Sequence, residues 1–285
     1  MMMDRIAEHI KQSLIIKEDD FIMVNNVSYK INKENYSKIE SKFGKTIAYI
    51  DGGQAEIING GNFCLSFIRV VAVVFDYNVK REIRDEFYIF ATKNTATIFP
   101  LGDRIIADFT VEEELTNIPN IARRCAELAM ANKLEADYKL LDGTLELRHD
   151  EEKKHYSEGL SALAKSSSLF TASGNSPIVI LNKLGPEGTW KYKLNTNTSF
   201  VKLHPNAKHL FRFEGKDCTS YLIENSKDAL FLGYPYGLIL ADKLARISNE
   251  EKKSLQMKFL LNNKNKEIMQ YLSAQNAHEI LDSLG

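Results

Sequence analysis

The spacing of apolar residues changes several times along this chain. Near the start, Ile6, Ile10 and Leu14 recur on one helical face, which predicts a short amphipathic helix over residues 1–17. Residues 18–45 are polar and rich in Lys and Glu, and read as loop with a short helix. The pattern then turns β-like. Residues 46–50 form an apolar, β-prone run that stops at Asp51-Gly52-Gly53. Beyond the turn signal Gly60-Gly61, residues 63–75 predict a long β-branched strand, and 86–91 and 95–100 add further strands.

Over 119–134 the period becomes helical. Pro119 suits a helix start, and Ile121, Cys125, Leu128 and Ala129 fall on one face. A second short strand, 138–142, follows and again ends in Asp-Gly. Residues 151–163 read as helix and 165–168 as loop. Short strands are predicted at 178–181, 190–194, 199–203, 210–213 and 219–223. Residues 228–231 are ambiguous. Helices are predicted at 235–246 and 265–283. With no internal repeat and no Pro/Gly/Ser linker, this order predicts an α/β fold. Its mixed sheet, flanked by helices, forms one domain over 46–285, with a helical N-terminal extension over 1–45.

The 285 residues carry 37 Lys+Arg against 38 Asp+Glu, so anion binding must come from local patches rather than bulk charge. Hydrophobic residues at 44% exclude global disorder. The cysteines, Cys64, Cys125 and Cys218, have no zinc-like or paired spacing and read as buried free thiols in a reducing compartment. The N-terminus lacks a signal-peptide pattern. The longest apolar stretch, 70–75, is far short of the ~20 residues a membrane span needs. The expectation is a soluble, cytoplasmic protein without a membrane partner.

The two Asp-Gly corners carry the sharpest chemical signal. An Asp at the carboxyl end of a buried strand sits at the sheet rim, where open α/β folds bind ligands. Asp51 and Asp142 on neighbouring strands would converge and repel, and a divalent cation resolves the repulsion. Asp-Gly is also a common turn dipeptide. Glu127 lies near the apolar stripe of the 119–134 helix, and is equally placed to pair with Arg123 or Arg124 at helical spacing. Glu112, Glu113 and Glu114 form a rival acidic cluster that reads as a solvated loop. Asp242 falls in an apolar helical segment where a carboxylate needs a partner: a metal, or Lys243 or Arg246. Tyr234 lies eight residues earlier, about 12 Å along a straight helix, so it is expected to reach substrate rather than the same ion. The six histidines do not cluster.

Between residues 183 and 216, Lys183, Lys191, Lys193, Lys202 and Arg212 interleave with Trp190, Tyr192, Phe200, Phe211 and Phe213. Alternating cations and aromatics suit a nucleic-acid backbone and its bases. A half-buried sheet gives the same alternation. Acids on two strand ends and two helices beside a basic face describe a two-metal phosphodiester site. Carboxylate-only ligation favours Mn²⁺ or Mg²⁺ over zinc.

The ordered segments Ile50-Asp51-Gly52-Gly53, Arg124-Cys125-Ala126-Glu127, Leu140-Leu141-Asp142-Gly143-Thr144-Leu145, Leu163-Ala164-Lys165, Gly233-Tyr234-Pro235 with Ala241-Asp242, and Asn276 to Asp282 resemble the NurA family of DNA-end-processing nucleases. The resemblance implies a ribonuclease-H-like core and a Mn²⁺-dependent deoxyribonuclease of 5′–3′ exonuclease and single-strand endonuclease type. It also implies a homodimer and partnership with a HerA-type hexameric helicase in resection of double-strand breaks. Carried over by position, Asp51, Glu127 and Asp142 are metal ligands and Tyr234 a site tyrosine, and Asp242 is expected to join them as a further ligand. Asp242 stands where a His is common in the family. Lys165 joins Lys183, Lys191, Lys193, Lys202 and Arg212 as a DNA-binding residue. Two other readings remain: a non-catalytic nucleic-acid-binding scaffold of the same fold, and an actin-like phosphotransferase, for which 233–237 is too poor in glycine.

Overall fold

The computed structural model describes residues 2–13, 20–24, 27–76, 79–165, 168–261, 267, 268 and 270. Helix α1 (Met2–Ser13) opens the chain. The segment expected as loop and short helix instead holds the hairpin β1 (Phe21–Val24) and β2 (Val27–Lys30), one 3-10 turn and an edge strand β3 (Tyr36–Lys38). Strands of three or four residues are too short to display a readable period. Then come β4 (Ile47–Asn59), β5 (Phe63–Asp76), β6 (Val79–Thr92), β7 (Thr95–Pro100), β8 (Phe109–Thr110) and the helix α2 (Ile118–Lys133). After α2 follow β9 (Tyr138–Asp142), the helix α3 (Asp150–His155), β10 (Ser161–Ala164), β11 (Phe170–Thr171) and the helix α4 (Pro177–Leu184). The chain continues through β12 (Trp190–Lys193), β13 (Thr198–Lys202), β14 (Phe211–Gly215), α5 (Thr219–Leu222), α6 (Tyr236–Ala245) and α7 (Asn249–Leu260).

One 11-stranded mixed sheet dominates, in the order β3-β12-β13-β14-β10-β9-β4-β5-β6-β7-β8. Strands β4, β5 and β6 are antiparallel neighbours. The chain then crosses through α2 and returns as β9, parallel to β4, with β10 parallel to β9. Three antiparallel strands, a helix, then two strands on the other side of the first make up the ribonuclease-H-like mixed sheet expected as the fold class. β1, β2 and β11 make a separate three-stranded sheet.

The period-2 pattern sorts side chains onto two faces. Ala48, Ile50, Leu141 and Ala162 point to one face and pack under Ile121, Cys125 and Leu128 of α2. Tyr49, Leu140, Leu163 and Phe213 point to the other, toward Tyr234 and Leu238. There, Val71 and Val73 receive Ala241 and Ala245 of α6. The three cysteines are buried and free.

Several expected elements differ. Residues 178–181 lie in helix α4, not a strand, because Pro177 provides a helix start and Gly185 ends it. Residues 219–223 form the short helix α5 rather than a strand. Of the helix expected over 151–163, only the charged start is helical, and its apolar end is strand β10, which needs neighbours on both sides to form. Helix α7 is an element the apolar pattern does not predict, and Ser248 caps it by accepting the Glu251 backbone N–H at 3.1 Å. Leu14, the 276–282 segment and most of the helix expected over 265–283 lie outside the described residues.

Candidate metal centre

The strand carrying Asp51 does not stop there. β4 runs eight residues further, and Asp51 pairs with Val71 in mid-strand. The glycines after it serve close approach, not a turn. A Cβ on Gly52 would lie 2.7 Å from Glu127 Oε1 and 2.9 Å from Arg123 Cγ, on the α2 face. A Cβ on Gly53 would run into the Ala245 carbonyl, 2.8 Å from its carbon, on the α6 face. The expected rim survives on one side only. β9 ends at Asp142, level with Asp51, and there Gly143 turns the chain away at φ +108°.

Strand alternation places Asp51 and Asp142 on the α6 face, and α6 delivers Asp242 to them. One carboxylate oxygen from each of Asp51, Asp142 and Asp242 lies within 4.8 Å of the other two. Among the described residues this is the group of His, Cys, Asp or Glu side chains able to hold an ion. Burial first, then the charges of Glu127 and Asp142, pushes the Asp51 carboxyl up to about 8, although it accepts the Gly52 N–H at 2.8 Å. A pocket that disfavours its own carboxylate is stabilised by a cation. The all-oxygen donor set suits Mn²⁺ or Mg²⁺.

Two existing cations temper the cluster. Lys165 Nζ donates to Asp142 Oδ2 at 2.6 Å and lies 5.1 Å from the centroid of the Tyr234 ring. Burial alone would lower its pKa, but the Asp142 hydrogen bond and the charges of Asp142, Asp242 and Asp51 raise it. Arg246 Nη2 donates to Asp242 Oδ2 at 2.8 Å, so the ion pair weighed as an alternative for Asp242 coexists with its place in the cluster.

Glu127 is buried and bonded to Arg123 and, at 3.1 Å, to Arg124. It therefore makes the helical ion pairs weighed as its alternative role. It also lies against Gly52, next to Asp51 in the chain, and its charge helps to raise the Asp51 pKa. Glu113 pairs with His149 at 3.2 Å, and the 112–114 cluster contributes nothing to the three-carboxylate group.

The placement expected for Tyr234, on one straight helix with Asp242, is not what forms. Tyr234 precedes α6, its ring packs 5.1 Å from that of Phe211, and its hydroxyl faces Asp142. That hydroxyl is buried without a hydrogen bond of ordinary geometry. Burial, reinforced by Asp142, Asp51 and Asp242, raises its pKa.

The basic and aromatic run is divided by its own register. Trp190, Tyr192, Phe200, Phe211 and Phe213 are all buried and serve the core, so they are not available to stack on bases. Lys191 and Lys193 lie on one face of the sheet, Lys202 and Arg212 on the other. Lys191 pairs with Asp217 and the buried Arg212 with Glu214, whereas Lys193 and Lys183 are exposed. Among these cations only Lys165 stands at the carboxylates.

No family model matches the chain, and no curated protein matches it. Solved structures do. The NurA nuclease of Sulfolobus solfataricus aligns over 93% of this chain and 94% of its own, with a TM-score of 0.56 and 13% identity. A second NurA structure aligns over 93% and 98%, with a TM-score of 0.58 and 9% identity. A NurA structure with manganese aligns over 93% and 99%, with a TM-score of 0.54 and 9% identity. Over nearly its whole length, this chain has the fold of the NurA nuclease structures.

Proposed function

We propose that the protein is a divalent-metal-dependent deoxyribonuclease that hydrolyses phosphodiester bonds at DNA ends. The observation that carries this reading is the convergence of Asp51, Asp142 and Asp242 beside a lysine. A likeness in fold to nuclease structures, one of them with manganese, supports it. Asp51, Asp142 and Asp242 would hold the cation, with Glu127 as a further ligand reached past Gly52. Bound there, the ion supplies neutralisation of phosphate charge and activation of the attacking water.

The chain's own groups do the rest. Lys165, held over the Tyr234 ring beside Asp142, would meet a phosphate oxygen of the substrate. The Tyr234 hydroxyl is a proton donor aimed at the same point. Lys183, Lys191, Lys193, Lys202 and Arg212 contribute at most a longer-range positive field. We further propose Mn²⁺, with Mg²⁺ as substitute, 5′–3′ exonuclease and single-strand endonuclease action, and a homodimer. Also proposed are work with a HerA-type helicase in break resection, a cytoplasmic location, and domains over 1–45 and 46–285. No helix among the described residues is long and apolar enough to cross a membrane.

The test is incubation with end-labelled linear DNA in Mn²⁺, Mg²⁺ or EDTA. Cleavage should need the metal, and Asp51→Asn or Asp142→Asn should abolish it while the melting temperature holds. Binding of DNA without metal-dependent cleavage would favour the scaffold reading instead.

A further inference from the structure

Midway along β5 one charged side chain stands among apolar ones. Arg69 lies between Ile68 and Val70 and is 7% exposed. Arginine is almost never buried so deeply without paired groups around it. The strand register sets it in one row with Gly53 of β4 and Glu86 of β6. The Gly53 end of that row lies against the last residue of α6, Ala245.

The whole guanidinium fork is engaged there. Nε donates to Glu86 Oε1 at 2.5 Å. Nη1 donates to the Arg246 carbonyl at 3.3 Å and to Glu251 Oε2 at 3.1 Å, and Nη2 donates to Glu251 Oε1. Arg246 is the residue that ends α6, and Glu251 belongs to the first turn of α7. One side chain of the sheet thus holds the end of one helix and the start of the next.

The other contact between α6 and the sheet here is apolar, Ala241 and Ala245 on Val71 and Val73. Apolar burial is non-directional, so it presses the helix to the sheet without fixing its shift or rotation. A planar guanidinium with donors in a rigid fork does fix them. Arg246 passes the constraint back by one helical turn. Its backbone N–H donates to the Asp242 carbonyl at 3.0 Å, and its Nη2 donates to Asp242 Oδ2 at 2.8 Å.

We propose that Arg69 is the positioning residue for the third carboxylate. Anchored by Glu86 and Glu251, it sets where Asp242 meets Asp51 and Asp142, although it belongs to neither the three-carboxylate group nor its bonded cations. The assignment rests on the metal-centre reading above and adds to it. The geometry of the site depends on α7, a helix that supplies none of the three carboxylates.

The experiment is a double-mutant cycle read by Mn²⁺ calorimetry, with the melting temperature as control. Arg69→Met keeps an apolar stem and removes the fork. It should weaken Mn²⁺ binding about tenfold in the wild-type background and less than twofold in Asp242→Ala, where the residue it positions is gone. Arg69→Lys, with the charge but not the fork, should fall between wild type and Arg69→Met. Glu251→Ala removes one arm at a partly exposed position and leaves the sheet intact. It should weaken binding about threefold, again only where Asp242 is present, and it decides the matter if Arg69→Met does not fold. Undiminished Mn²⁺ affinity in these variants, or the same weakening with and without Asp242, overturns the positioning role and leaves the metal centre standing. A wild type that takes up neither Mn²⁺ nor Mg²⁺ overturns the metal-dependent nuclease reading, and the positioning role with it.

Discussion

Gly53→Ala isolates how tightly the third carboxylate is positioned. A glycine inside a strand is ordinarily about 0.5–1 kcal/mol worse than alanine, and the Gly53 backbone is one that alanine adopts without strain. On propensity alone the substitution should stabilise. The structure predicts the opposite sign. The new Cβ would meet the Ala245 carbonyl carbon at 2.8 Å and its oxygen closer still, where ordinary contacts begin near 3.4 Å. Backbone cannot swing aside as a side chain can, so the end of α6 must withdraw by about 1 Å, an overpacking that costs roughly 1–3 kcal/mol. Asp242 lies one turn back on the same helix and moves with it. A misplacement of about 1 Å at a reacting centre lowers the rate on the order of a hundredfold. The assay pairs thermal melting with single-turnover cleavage in Mn²⁺, using Gly102→Ala as control, since nothing lies within 4 Å of a Cβ there. A melting temperature at or above wild type, together with undiminished cleavage, would refute the idea that Gly53 exists to admit α6.

Asp51, lifted from an ordinary 3.8 to about 8, binds a proton in the folded apo-protein that the unfolded chain has released, so apo stability should fall as pH rises from about 4 to 8. Mn²⁺ affinity should climb roughly tenfold per pH unit over the upper part of that window, with about one proton released per ion in calorimetry; an affinity flat with pH refutes the shift. Glu127→Gln should cut cleavage severely and Glu113→Gln little, and the reverse result would move the ligand to the 112–114 cluster. Asp242→Ala should weaken Mn²⁺ binding in isothermal titration, whereas Tyr234→Phe should slow cleavage with binding nearly intact. Equal affinity in wild type and Asp242→Ala would reduce Asp242 to the partner of Arg246.

How much of this was legible in the sequence depended on distance along the chain. Asp51 and Asp142 stood out because an apolar strand ending in Asp-Gly is a local pattern. What the pattern could not reveal was why glycine follows. At Asp142 it is a left-handed turn, while at Asp51 it is clearance for two helices arriving from far apart in sequence. Asp242 read equally well as an ion pair or a ligand, and it is both, since Arg246 is local and the cluster is not. The alternation of Lys and aromatics from Lys191 to Arg212 looked like a nucleic-acid surface. The register of three strands turned it into a core with charges on opposite faces. Short apolar runs such as 178–181 carry too few residues for their period to separate strand from helix, and tertiary neighbours decided them.

The contact between Gly53 and the end of α6 also bears on when the protein becomes competent. Asp51 and Asp142 are in place once the central strands pair, but Asp242 belongs to an element made late in synthesis. A nascent chain halted before α6 would present two carboxylates without the third. Its cation site would stay incomplete until α6 docks over Val71 and Val73. The order in which the ribosome delivers these elements therefore leaves the three-carboxylate group unassembled until α6 has been made and docked.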